Sequence, residues 1–143
     1  MIRISRNPNV VRQVETDIAE QIVRTFRDAV NVKRARLLAG GTDVDVTGYG
    51  VVALQGRLED QTLIQGLAFG AQLRLSLGDL VTQMPFLDRQ NVAHLLTPQQ
   101  MIEVWRKGAA FVSAVYEQSW VIKGMDPVLT DLEDANVWLK VKK

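Results

Sequence analysis

Few residues in this chain could do chemistry, and their spacing does not gather them. His94 is the only histidine and there is no cysteine. Disulfides, thiolate metal sites and a cysteine nucleophile are therefore excluded, and one imidazole without a second nitrogen or sulfur ligand makes a poor metal centre. A hydrolytic site would have to bring His94 to Asp43 or Asp45, which share one face of an extended segment. Glu59 and Asp60 read as a first helical turn, where carboxylates suit the dipole. None of these acids has calcium-loop spacing. The glycines at 40, 41, 48, 50 and 56 match neither the G-x-G-x-x-G nor the P-loop pattern and read as turn glycines. Trp105, Tyr116 and Trp120 could line a ligand groove, but an aromatic stripe at helical spacing reads first as core. The expectation is a non-catalytic protein with no metal and no cofactor.

The elements that would position these residues suggest an α+β fold, mainly helical, with three principal helices, short β-hairpins and a long N-terminal helix. Asn7-Pro8-Asn9 is a cap-and-start signal. Val11, Val14, Ile18, Ile22, Phe26 and Ala29 then follow at helical spacing, with Val23, Val30 and Leu37 on a neighbouring face. A helix running to residue 38 would be about 45 Å long at 1.5 Å per residue, too long for a compact domain of this size to cover. Part of it is expected to pack on another chain.

Gly40-Gly41 stops that helix, and strands follow at about 43–47 and 50–55. Leu63, Leu67, Ala71 and Leu75 mark a second helix over about 59–77, where Gly66 and Gly70 suggest a neighbouring backbone close by. A hairpin over 84–96 turns at Asp88-Arg89-Gln90-Asn91. Thr97-Pro98-Gln99-Gln100 is a capping box. It opens a third helix, with Met101, Trp105, Val112, Tyr116 and Trp120 on one apolar face, widened by Phe111, Val115 and Ile122, and a stop at Lys123-Gly124. The tail, with Val137, Leu139 and Val141 in alternation, reads as a final edge strand or as an extended arm that docks on a neighbour, the arm being favoured. Three units follow: 1–38 as an assembly helix, 39–125 as a compact α+β domain, and 126–143 as the arm.

Seventeen Lys and Arg against sixteen Asp and Glu give a net charge of +1, which exerts no global pull on nucleic acid or a membrane. Residues 1–40 are locally basic (Arg3, Arg6, Arg12, Arg24, Arg27, Lys33, Arg34, Arg36 against Glu15, Asp17, Glu20, Asp28). No aromatics are interleaved there for base stacking, so this reads as a solvated helix face. No stretch reaches the apolar length of a membrane span, and MIRISRNPN lacks a signal-peptide core. The chain is expected to be soluble and made in the cytoplasm. Val11, Val14, Ile18, Ile22, Val23, Phe26 and Val30 are the expected interface, with Trp138 in its charged segment as a further anchor.

The runs VKRARLLAGG, VDVTGYGVVALQGR, LEDQTLIQGLAFGAQ, FLDRQNVAHLLTPQQ and YEQSWVIKG together resemble a phage-borne domain family of uncharacterised function, found in or beside tail fibre proteins. FLDRQNVAHLLTPQQ is the most telling. The chain departs from that pattern at Phe86-Leu87, where a tryptophan is usual, and at Leu54-Gln55, where an acidic strand end is usual. The resemblance implies a virion tail component of the fibre or baseplate region, in a homo-oligomer (a trimer first) or bound to other tail proteins. The alternative is a cytoplasmic fibre-assembly chaperone absent from the mature particle. The resemblance implies no catalytic residues.

Overall fold

A computed structural model of the chain describes residues 7–141. Arg3 and Arg6 of the basic N-terminal segment, and the side chain of Val141, lie outside the described residues. Helix α1 runs Pro8–Gly40, 33 residues without an internal proline or glycine before its end. The Asn7 side chain caps it by accepting from the Asn9 amide at 3.0 Å, and Pro8 occupies a position where no amide hydrogen is required.

Gly41 ends the helix at φ +69°, donating to the Leu37 and Leu38 carbonyls. A Cβ there would lie 1.7 Å from the Leu54 carbonyl oxygen, so both backbone conformation and space demand glycine. Gly41→Ala is expected to cost on the order of 3 kcal/mol or more, read as a lowered urea midpoint.

Strands β1 (Thr42–Val46) and β2 (Gly50–Leu54) pair antiparallel, Val44 opposite Val52. Helix α2 (Leu58–Ser76) follows, its start fixed by Asp60 accepting from the Arg57 amide at 3.2 Å and Nε at 2.8 Å. Strands β3 (Met84–Leu87) and β4 (Ala93–Leu96) form a second antiparallel hairpin with Phe86 opposite His94. Thr97 and Gln100 exchange the expected capping-box bonds at the start of α3 (Pro98–Lys123). A kinked 3-10 stretch, Ala135–Val141, completes the described chain. The fold is α+β: three α-helices with two small antiparallel two-stranded sheets and a long N-terminal helix.

Two apolar clusters hold these elements. The larger unites Val44, Val46, Val52 and Leu54 of the first hairpin with Ile64 and Ala71 of α2, Met84, Phe86 and Leu96 of the second hairpin, and Met101 and Val104 of α3. The smaller joins Phe26 and Val30 of α1 to Ile122 of α3 and to Trp138.

The faces of two helices differ from the expectation. Helix α3 packs through Met101, Val104, Val115 and Ile122, whereas Trp105 and Trp120 are exposed. Gly108 lies on the inner line, where a Cβ would come within 3.2 Å of Leu54 Cδ1. That glycine interrupts the apolar line and makes the aromatic face look like the buried one. Helix α2 turns inward with Ile64, Ala68 and Ala71 and leaves Leu63 exposed. Nothing lies within 4 Å of a Cβ at Gly66, and only the end of Met84 approaches Gly70, so no backbone crosses closely there. The C-terminal segment is neither strand nor extended arm: it folds back, and Trp138 packs into its own chain.

Candidate functional site

Helix α1 divides into an anchored half and a stem. Every residue from Asn7 to Thr25 is exposed, and Phe26 is the first to be buried. From Phe26 onward the helix is held: Phe26 and Val30 meet Ile122 and Trp138, and Lys33 and Arg36 pair with Glu133 at 3.2 and 3.5 Å. The Trp138 indole donates to the Leu132 carbonyl at 3.1 Å, and Gln118 Nε2 donates to the Val137 carbonyl at 2.7 Å, which fixes the returning segment against α3.

The stem, residues 8–25, projects about 27 Å beyond this anchor at 1.5 Å per residue. Most helical stability in proteins comes from packing of an apolar face, and the stem has no such packing within its own chain. Val11, Val14, Ile18 and Ile22 share one side of it, all exposed, with Val23 toward the α3 side. Gln13, Glu20 and Arg24 lie on the other side. Of the eight residues expected at an interface, these five are open to a partner. Phe26, Val30 and Trp138 are not: they form the smaller core, and Trp138 is only 3% exposed. The helix turns by about 100° per residue, so its wide apolar surface serves two faces, one toward α3 and one outward. Val32, exposed at 56%, belongs to the outward face. It goes unread in the sequence because it stands among polar residues.

His94 joins neither Asp43 nor Asp45. Asp43 pairs with Arg89 at 2.9 Å, and the Asp45 carbonyl accepts from Lys107. The buried imidazole instead bridges two hairpins: Nδ1 lies 2.6 Å from the Tyr49 hydroxyl and Nε2 lies 2.7 Å from Asp88 Oδ2. With Nε2–H donating to the carboxylate, Nδ1 of the neutral ring accepts from the phenol. Asp88 Oδ1 also accepts the Gln90 and Val92 amides at 2.8 and 3.0 Å, which shapes the turn where Asn91 sits at φ 60°. This chain pins the β1–β2 turn to the second hairpin. The spacing of Asp88 and His94 across one hairpin was the available signal; nothing local pointed to Tyr49.

Burial pushes the Asp88 carboxyl up, but hydrogen bonds from His94, Val92 and Gln90 together outweigh it and hold the group below its ordinary value. Its contribution is therefore complete above the unfolded carboxyl range, about pH 4, and is lost as pH falls through the lower folded value. Asp88→Ala, which strands the His94 Nε2–H, is expected to cost about 2–4 kcal/mol at neutral pH. The gap between wild type and variant should narrow on acidification, read from urea midpoints at neutral pH and at about pH 3.

Arg89 is a second junction. Its guanidinium reaches the Gly40 carbonyl at the end of α1 and Asp43 on β1, and its amide donates to the Ala53 carbonyl at 2.9 Å. Glu103 accepts from the Thr47 amide and hydroxyl at 3.1 and 2.9 Å and pairs with Lys107 at 3.0 Å. Lys107 is the main cause of its lowered pKa. These polar groups fasten elements to one another. Exposed Trp105 borders a cleft of about 270 Å³ between β2, α2 and α3, with Gln55, Gln61, Gln65 and Phe111.

No curated protein and no solved structure matches this chain. Residues 21–137 match a family described as a domain of unknown function, DUF4376. The match takes in both hairpins, α2, α3 and the anchored half of α1, and starts within the stem, so Val11, Val14 and Ile18 precede it. With most of its length inside that match, the chain belongs to the DUF4376 family of domains of unknown function.

Proposed function

We propose that this protein is a structural component of a phage tail, in the fibre or baseplate region, and that it acts by protein–protein assembly through α1 rather than by catalysis. The observation that carries the assembly part is the stem: residues 8–25 project with Val11, Val14, Ile18 and Ile22 uncovered. An apolar side of this kind on an otherwise unsupported helix is what a partner helix buries. The tail context comes from the resemblance in the sequence, above all FLDRQNVAHLLTPQQ. The partners of this reading are further copies of the chain and neighbouring fibre or baseplate proteins, with no role for nucleic acid. None of the described helices is long and apolar enough to cross a membrane. The protein is made in the host cytoplasm and resides in the virion.

Quantitative mass spectrometry of purified particles tests this reading. A fixed stoichiometry relative to other tail proteins is expected. Absence, or a grossly substoichiometric amount, would overturn it in favour of a chaperone that leaves before the particle is complete.

A further inference from the structure

The cleft beside Trp105 continues past the indole. A second hollow, of about 290 Å³, is lined by Phe69 and Gln72 of α2 and Ile102 of α3, and it shares Trp105 and Gln65 with the first, of about 270 Å³. The two form one groove between α2 and α3, with exposed Trp105 lining both parts and exposed Phe69 at the far end. Among the described residues, none that lines either hollow is Asp, Glu, Lys, Arg or His; the polar side chains there are Gln55, Gln61, Gln65, Gln72 and Ser113. Two of these amides are already oriented. Gln61 Nε2 donates to the Gly56 carbonyl at 2.7 Å, which leaves its Oε1 to accept. Gln55 Oε1 accepts from the Arg57 guanidinium at 3.0 Å, which leaves its Nε2 to donate. The charge of Arg57 is itself met by Asp60 and Glu59 at 2.8 and 3.5 Å. The first hollow thus offers an oriented acceptor, an oriented donor and an aromatic platform, all uncharged.

We infer that this groove binds a short neutral saccharide, with one ring against Trp105 and its hydroxyls on Gln55 and Gln61, and the next ring reaching Gln65 and Gln72 toward Phe69. A sugar hydroxyl donates and accepts at once, which suits a hollow holding both a donor and an acceptor. The C–H face of a pyranose packs on an indole as any apolar surface does. Each hollow lies near the lower end of ligand pockets, about 300 Å³, so each takes one small ring. Competing ligands fail on the same lining. A nucleotide, a phosphate or an acidic sugar meets no cation there. A purely apolar ligand would cover Gln55 Nε2 and Gln61 Oε1 without pairing them. The groove includes no residue of α1, so this binding stands or falls apart from the assembly role proposed above.

The test is to pass the intact protein over a printed array of neutral and acidic oligosaccharides, then to titrate it in a calorimeter with the glycan it retains best. Retention of neutral over acidic glycans is expected. Trp105→Ala should weaken binding about tenfold or more through loss of the stacking platform, and Gln65→Ala about threefold or more through loss of one amide. Trp120→Ala removes an exposed indole from the same helix outside the groove and should leave binding unchanged. Trp105 and Gln65 are both exposed, and urea unfolding of each variant checks that it is folded; if Trp105→Ala is not, Gln65→Ala decides. Retention of no glycan, or of acidic glycans as well as or better than neutral ones, overturns the inference. So does an affinity that survives the substitutions in a folded protein. A proline-rich peptide that saturates the groove when no glycan binds identifies a peptide site and overturns it as well.

Discussion

Replacing Trp138 with alanine is expected to lower the unfolding free energy by about 3–5 kcal/mol, the usual cost of emptying a buried aromatic site. Against a total of about 5–15 kcal/mol for a domain, that leaves the fold marginal. The indole fills the small cluster with Phe26, Val30 and Ile122 and satisfies the Leu132 carbonyl. Its loss therefore releases the C-terminal segment and loosens the anchored half of α1 together. Equilibrium urea unfolding at fixed chain concentration measures this, and the chain supplies its own probe. Trp105 and Trp120 are exposed, so the blue-shifted part of the indole emission comes from Trp138. Trp138→Phe should abolish that component at a smaller cost, since it keeps most of the packing and loses the hydrogen bond.

The second large effect is on association. Ile18→Asp together with Ile22→Asp places two carboxylates per chain on the exposed apolar side of α1, where assembly would bury like charges without counterions. The expected result is a single chain of 16.0 kDa with an intact domain, because both positions are exposed in the isolated chain and the intrinsic helix penalty is at most about 0.7 kcal/mol each. Gln13→Ala and Glu20→Ala on the far side should leave the mass of the assembly unchanged. Size-exclusion chromatography with light scattering separates these outcomes.

Much of the fold is legible in local signals. Asn7-Pro8 and Thr97-Pro98-Gln99-Gln100 start α1 and α3 because caps are local chemistry, and Gly41 ends α1 because only glycine accepts its conformation there. The alternation around Thr47-Gly48-Tyr49 and around Asp88–Asn91 yields the two hairpins in their places. What misleads is the choice of face. On α2 and α3 small residues, Ala68, Ala71 and Gly108, stand in the inner lines among Ile64, Met101, Val104, Val115 and Ile122 and weaken the apolar pattern there. Leu63, Trp105 and Trp120 point outward and look more like core than the residues that form it.

The candidate site divides the same way. Val11, Val14, Ile18 and Ile22 are readable as an uncovered stripe, because the length of α1 exceeds what the rest of the chain can cover. The roles of Phe26, Val30 and Trp138 are not, since they depend on where Ile122 and the returning tail sit, a matter of distant contacts. Tyr49 is likewise 45 residues from His94, and only the packing of one hairpin turn on another brings the phenol to the imidazole.

The central claim is that α1 covers its apolar side with copies of its own chain. Sedimentation equilibrium on the intact protein tests it most directly. The mass is expected to be a whole-number multiple of the 16.0 kDa of one chain, falling toward one only on dilution. A mass of 16.0 kDa at every concentration would contradict the account.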